Sequence, residues 1–208
     1  SNDSETAKVS IKVTAVGDAP VATDQSLTTN EDTAVAVVLK SVDPDGNPLN
    51  YSVVQQPAKG ELTGNGANLT YIPLENFHGL DTFTFKTNNG TLDSNTAQIK
   101  ITVSPVNDSP VATAQQVTIQ QDGSKTITLS ASDIDEDTLS YQIVTPPSHG
   151  SLSTIAGSTV TYTAEQGFHG TDSFVFKAND GKIDSNQVNV DIQVEEKLLP
   201  SSAVEFSK

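Results

Sequence analysis

The sequence contains no cysteine, methionine or tryptophan. Without cysteine there is no disulfide staple, no thiolate metal ligand and no thiol nucleophile. Histidine is scarce too: His78, His149 and His169 are the whole supply. No Gly-x-Ser-x-Gly turn, phosphate-binding loop or zinc-ligand spacing accompanies them. Apolar runs extend only a few residues, whereas a membrane-crossing helix takes about 20. Positive charge is sparse, with 11 basic against 26 acidic residues and a formal net charge of −15. Such a chain repels the phosphates of nucleic acid and of anionic lipid. Neither nucleic-acid binding nor membrane insertion is expected of it.

The apolar fraction, 35%, is also low. It is concentrated in Val, Ile and Leu at alternating positions, which small cores can use. Val188, Val190, Ile192 and Val194 alternate with polar neighbours, as do Ile99, Ile101 and Val103, and Val35, Val37 and Leu39. A period of two marks half-buried strands. Asp/Asn/Gly/Pro turns separate these strands at spacings of about ten residues, the pattern of a β-sandwich. No long stretch has helical periodicity.

An internal repeat organises the chain. Gly17-Asp18-Ala19-Pro20-Val21-Ala22-Thr23 returns 90 residues later as Asn107-Asp108-Ser109-Pro110-Val111-Ala112-Thr113. Asp43, Asp45, Leu49, Tyr51, Pro57, Gly60 and Leu62 return as Asp133, Asp135, Leu139, Tyr141, Pro147, Gly150 and Leu152. After one inserted residue near Gly157 the offset becomes 91, and Phe77-His78-Gly79 matches Phe168-His169-Gly170. Asp81, Phe83 and Phe85 then match Asp172, Phe174 and Phe176. The alternating Phe residues read as core, the His residues as corner formers, and Gly79 and Gly170 as turn residues that adopt backbone angles other residues resist. The reading is all-β: two tandem Greek-key sandwiches, end to end, over residues 17–106 and 107–195. Asp3-Ser4 with Val9, Ile11, Val13 and Val16 aligns with Asp93-Ser94 and Ile99, Ile101, Val103 and Val106. Residues 1–16 therefore read as the last strand of a preceding repeat, and residues 196–208 as a tail.

Several motifs occur in order, with substituted versions at the matching positions of the other repeat: Asn107-Asp108-x-Pro-Val-Ala, Asn30-Glu31-Asp32-Thr33, Asp43-Pro44-Asp45-Gly46, Pro57-Ala58-Lys59-Gly60-Glu61-Leu62, Tyr71-x-Pro and Asn76-Phe77-His78-Gly79. Together they resemble the cadherin-like, immunoglobulin-like tandem repeats of large bacterial surface or secreted adhesins. The resemblance covers nearly the whole chain except residues 195–208. It implies an extracellular or cell-surface location and a role in adhesion or biofilm. The implied partners are other repeats of the same chain and a cell-surface protein or polysaccharide. It also implies calcium, held where repeats meet by an early acidic residue, an Asn-Asp linker and an Asp-x-Asp of the next repeat. Carried over, these are Glu31 with Asp32 as its alternate, Asn107 and Asp108, and Asp133 and Asp135, with Asp137 and Asp180 as further donors. The repeats depart from one another here. Repeat 2 has Gln121-Asp122 for Glu31-Asp32; repeat 1 has Asn47 for Asp137, Asn89 for Asp180 and Gly17 for Asn107. The junction of the two complete repeats is thus the best furnished, and the Asp43/Asp45 pair is a second candidate.

The residue chemistry points the same way. Calcium takes six to eight oxygen ligands, and Asp-x-Asp on an extended segment turns both carboxylates to one side. Two carboxylates about 4 Å apart repel by roughly 4 kcal/mol at an effective dielectric near 20. Asp and Gly are equally ordinary turn residues, so solvated turns remain the competing reading. No catalytic constellation is apparent, and the chain is not expected to be an enzyme. Carbohydrate binding is the alternative function, but its usual aromatic platform is thin: Tyr51, Tyr71, Tyr141 and Tyr162 all recur at repeat-matched positions, which suits structural roles.

Overall fold

A computed structural model describes residues 5–197. The Asp3-Ser4 similarity and the tail beyond Lys197 lie outside the described residues. Two compact units are present, Ser1–Val106 and Asn107–Lys208, and every regular element among the described residues is a strand. Among those residues no helix is long and apolar enough to cross a membrane.

The first unit contains β1 (Val21–Ala22), β2 (Gln25–Asn30), β3 (Val35–Val38), β4 (Ser41–Val42), β5 (Asn50–Gln55), β6 (Gly60–Asn65), β7 (Asn68–Pro73), β8 (Gly79–Asn88) and β9 (Ala97–Ser104). One sheet runs β2-β9-β8-β5, the other β3-β7-β6, and β1 pairs with β4. β2 joins β9 in parallel, from Gln25 opposite Ile99 to Asn30 opposite Ser104. The remaining pairs are antiparallel. The second unit repeats this with β10 (Val111–Thr113), β11 (Gln115–Gln120), β12 (Ser124–Thr128), β13 (Ser130–Ser132), β14 (Ser140–Thr145), β15 (Gly150–Leu152), β16 (Thr159–Ala164), β17 (Gly170–Asn179) and β18 (Val188–Glu195). Its sheets are β11-β18-β17-β14 and β12-β16-β15, with β10 on β13. These are two immunoglobulin-like sandwiches in tandem.

The period-two pattern places the cores. Phe83, Phe85, Ile99 and Ile101 are fully buried in the first unit, and Phe174, Phe176 and Val190 in the second. Each such side chain stabilises its sandwich by about 1.5–3 kcal/mol through removal from water. Gly79 and Gly170 open β8 and β17 at φ 123° and 134°, the left-handed half of backbone space that the turn reading required.

A buried carboxylate sits beside each aromatic strand. Asp81, in phase with Phe83 and Phe85, accepts the N–H of Ala58 (3.0 Å), Lys59 (2.8 Å) and Thr82 (2.8 Å) and the hydroxyl of Tyr71 (2.9 Å). Asp172 accepts Ser148 N–H, His149 N–H, the Tyr162 hydroxyl and Ser173 N–H, each at 2.9 Å. Burial, then the carboxylate's hydrogen bond and charge, push the Tyr71 and Tyr162 hydroxyls well above the usual tyrosine range. The carboxylate therefore ties the loop before β6 or β15 to the tyrosine of β7 or β16. Tyr71 and Tyr162 are fully buried, so these two belong to the interior and not to a binding platform.

Residues 5–16 carry no strand. Val9, Ile11, Val13 and Val16 are 84%, 84%, 86% and 82% exposed. An alternating sequence forms a strand only where a neighbouring strand takes its backbone hydrogen bonds and a core takes its apolar face. Deleting residues 1–16 should accordingly shift neither unit's stability by more than about 0.5 kcal/mol. A larger loss in calorimetry would show that the segment packs on one of the sandwiches.

Candidate metal centre

In the second unit the chain leaves β13 into an acidic turn. Asp133 Oδ1 accepts the N–H of Asp135 at 2.9 Å and of Asp137 at 3.4 Å. Glu136 sits at φ 61°, which curls the turn so that every second carboxylate returns to the same side. Asp133, Asp135 and Asp137 each bring one oxygen within 4.8 Å of the others. Asp135 Oδ2 accepts Asp108 N–H at 2.8 Å, which docks the linker residue on the turn. Asp133 Oδ2 is buried and has no hydrogen-bond partner.

Asp180 and Asn107 form the flank. Asp180 Oδ1 accepts Lys182 N–H (2.7 Å) and Ile183 N–H (2.6 Å), and its Oδ2 accepts the Asn107 side-chain amide (2.7 Å). The Ile183 N–H foremost, then the Asn107 amide, hold the Asp180 carboxyl down at about 2 against a usual 3.8. Lys182 Nζ donates to Asn107 Oδ1 at 2.6 Å and to Asp137 Oδ2 at 3.0 Å. The hydrogen bond to Asp137 and the surrounding acidic charge raise its ammonium above the usual lysine range.

The first unit builds the same turn and satisfies it with amides. Asp43 Oδ1 accepts Asp45 N–H (2.9 Å), Asn47 N–H (3.0 Å) and the Asn47 side chain (3.2 Å). Asp43 Oδ2 accepts the Asn89 side-chain amide at 2.8 Å, and Asp45 Oδ2 accepts Asp18 N–H at 2.8 Å. The Asn89 amide foremost keeps the Asp43 carboxyl below its usual range. The two turns differ in two side-chain donors, Asn47 and Asn89, each replaced by Asp in the second unit. Asn89 reaches Asp43 Oδ2, whereas Asp180, at the matching position, has no proton to give Asp133 Oδ2 at neutral pH.

The remaining members of the predicted set lie in the first unit. Glu31 follows β2, and its carboxylate accepts the N–H of Val106. Asp32, at φ 54°, accepts Asn76 N–H at 3.0 Å, as Asp122 accepts Gly167 N–H at 2.7 Å. Asp32 therefore clips two loops of its own sandwich together. The structure brings together Asn107, Asp108, Asp133, Asp135, Asp137 and Asp180 within the second unit. Sequence reasoning missed Lys182. Its signal was present: Thr91 becomes Lys182 alongside the exchanges of Asn47 for Asp137 and Asn89 for Asp180.

The donor set suits a hard cation. Three carboxylates converge, one of their oxygens is buried and without a partner, and no sulfur or imidazole is involved. Asp133, Asp135 and Asp137 would hold calcium, which prefers carboxylate, carbonyl and water oxygens.

Comparison with solved structures returns two-repeat cadherin fragments. Human protocadherin-24 EC1-2 is 14% identical over 88% of this chain and 100% of that one, with a TM-score of 0.54. Human mucin-like protocadherin EC1-2 is 14% identical over 86% and 98%, with a TM-score of 0.51. An endo-fucoidan hydrolase of glycoside hydrolase family 107 is 21% identical over 88% of this chain with a TM-score of 0.37, and the present chain spans 29% of its length. No curated protein matches the chain in sequence. Residues 17–102 and residues 107–193 each match the family model described as "Bacterial Ig domain". The chain therefore belongs to the bacterial Ig domain family, of which it carries two tandem copies.

Proposed function

We propose that this chain is a non-catalytic, calcium-binding segment of an extracellular or cell-surface protein, serving adhesion or acting as a calcium-stabilised spacer. The observation that carries the reading is the buried, partnerless Asp133 Oδ2 beside the carboxylates of Asp135 and Asp137. A buried anionic oxygen without a donor costs about 1–3 kcal/mol or more, and the first unit avoids that cost with Asn89. A divalent cation would remove it in the second unit. The acidic balance, the scarcity of histidine and the cadherin-like fold support the same reading.

Calcium should raise the melting temperature of the second unit while leaving the first nearly unchanged. At a concentration ten times the dissociation constant, linkage gives about 1.4 kcal/mol for one site. Magnesium should do less, since it demands a tighter octahedron and releases its waters reluctantly. The doubly substituted Asp133→Asn, Asp135→Asn chain should lose the calcium response and stay folded. Identical melting of the wild type in chelator and in millimolar calcium would overturn the proposal.

A further inference from the structure

The acidic turn of the second unit already contains a cation, supplied by the chain itself. Lys182 Nζ lies 3.0 Å from Asp137 Oδ2 and 2.6 Å from Asn107 Oδ1. It stands on the hairpin after β17, whose Asp180 also faces the turn through Asn107. We propose that Lys182 is a built-in counter-ion that a divalent cation must displace from Asp137, so that this residue sets the calcium affinity of the second unit. The inference rests on the calcium reading above.

The internal repeat supports it. Where the first unit has Asn47, Asn89 and Thr91, the second has Asp137, Asp180 and Lys182. Two carboxylates are added, and one ammonium arrives with them. Thr91 stays within its own hairpin, its hydroxyl 3.0 Å from Asn89 Oδ1, while Lys182 reaches across to the turn. The Lys182 ammonium offsets part of the repulsion among the carboxylates.

The arrangement allows the ammonium to leave. The Lys182 side chain is 60% exposed and that of Asp137 35% exposed. A lysine is a hydrated point charge on a flexible stem, so release into water is cheap. Calcium brings two charges to the carboxylates against one and can bind several oxygens at once. With the ammonium in place, calcium meets both a blocked Asp137 oxygen and a like charge a few ångströms away. Removing that charge should strengthen calcium binding about tenfold, since one close like-charge interaction at a solvated site is worth roughly that much.

The test is a calcium titration by calorimetry of the full chain as wild type, Lys182→Gln and Lys182→Arg, with melting recorded in chelator. Lys182→Gln is expected to bind calcium about tenfold more tightly, and its second unit to melt earlier than wild type in chelator but not in saturating calcium. Lys182→Arg keeps the charge and should behave as wild type. If wild type binds calcium and Lys182→Gln binds no more tightly, the inference fails and the calcium reading survives. If none of the three binds at calcium concentrations up to about 10 mM, the calcium reading fails and takes the inference with it. Should Lys182→Arg gain affinity as Lys182→Gln does, charge is not the cause and the inference also falls.

Discussion

Asp172→Ala is expected to lower the melting temperature of the second unit by about 15–25 °C while the first unit melts as before. Four donors converge on this carboxylate, and truncation leaves the N–H groups of Ser148 and His149 and the hydroxyl of Tyr162 without it. The Tyr162 hydroxyl bond is buried and the two N–H bonds are part-buried, so the N–H groups fall toward the lower end of the about 1–3 kcal/mol that an unsatisfied donor costs. Tyr162 keeps a fallback in His149 O at 3.3 Å, so the total is about 3–4 kcal/mol. A domain of 60–100 residues loses about 4–8 °C per kcal/mol. Calorimetry should resolve two transitions, because each sandwich has its own core, and the transition that moves identifies the second unit. A drop of less than about 5 °C would mean that water replaces the carboxylate. The pH dependence has a definite sign. Burial pushes the Asp172 carboxyl up, but its four donors outweigh this and hold it below the usual 3.8. A depressed carboxylate stabilises the fold above its unfolded pKa and loses that contribution as pH falls through the folded value. The advantage of wild type over Asp172→Asn should therefore be full at neutral pH and shrink below 3.8.

Gly150→Ala should destabilise the same unit by about 3 kcal/mol, at the upper end of overpacking costs. A Cβ at Gly150 would stand 2.4 Å from Tyr162 Cε2 and 2.5 Å from Cζ. Tyr162 is fully buried and its hydroxyl is tied to Asp172, so the ring cannot retreat. Gly60 has the same relation to Tyr71, at 2.4 Å. The cost therefore comes from the tyrosine and not from the turn, and a double-mutant cycle separates the two. In a Tyr162→Leu background, Gly150→Ala should cost much less than in wild type, because contacting residues couple. Equal costs in both backgrounds would assign the effect to the backbone at Gly150.

The two cases show how much of the molecule could be read from its sequence. Alternation in β8, β9, β17 and β18 identified the strands and their buried faces, because a sandwich needs a repeating apolar side and little else. Asp81 and Asp172 were also legible in part. Each stands two residues before a core Phe and so shares its inward face, which for a carboxylate means converging donors. The donors themselves were not legible, since two come from a loop more than twenty residues away. The acidic turns show the limit most sharply. Asp43 and Asp133 occupy equivalent turns, and within the turn the exchange of Asn47 for Asp137 removes one amide donor. Whether the second carboxylate oxygen finds a donor is set by Asn89 or Asp180, on a hairpin some 46 residues further along. The exchange of Thr91 for Lys182 was visible in the repeat, but its role depends on the hairpin meeting the turn, and spacing along the chain does not encode that meeting.

The parallel join of β2 to β9 has a mechanical consequence. β2 lies near the point where the chain enters the first sandwich, and β9 is the strand by which it leaves. Because Gln25 to Asn30 runs alongside Ile99 to Ser104 in the same direction, tension applied through the flanking chain drags the two strands lengthwise past each other. Their hydrogen bonds are then loaded together in shear, whereas an antiparallel terminal pair pulled from one end opens one bond at a time. β11 and β18 repeat the geometry in the second unit. Each sandwich thus loads one parallel strand pair in shear when the chain is pulled from both sides of it.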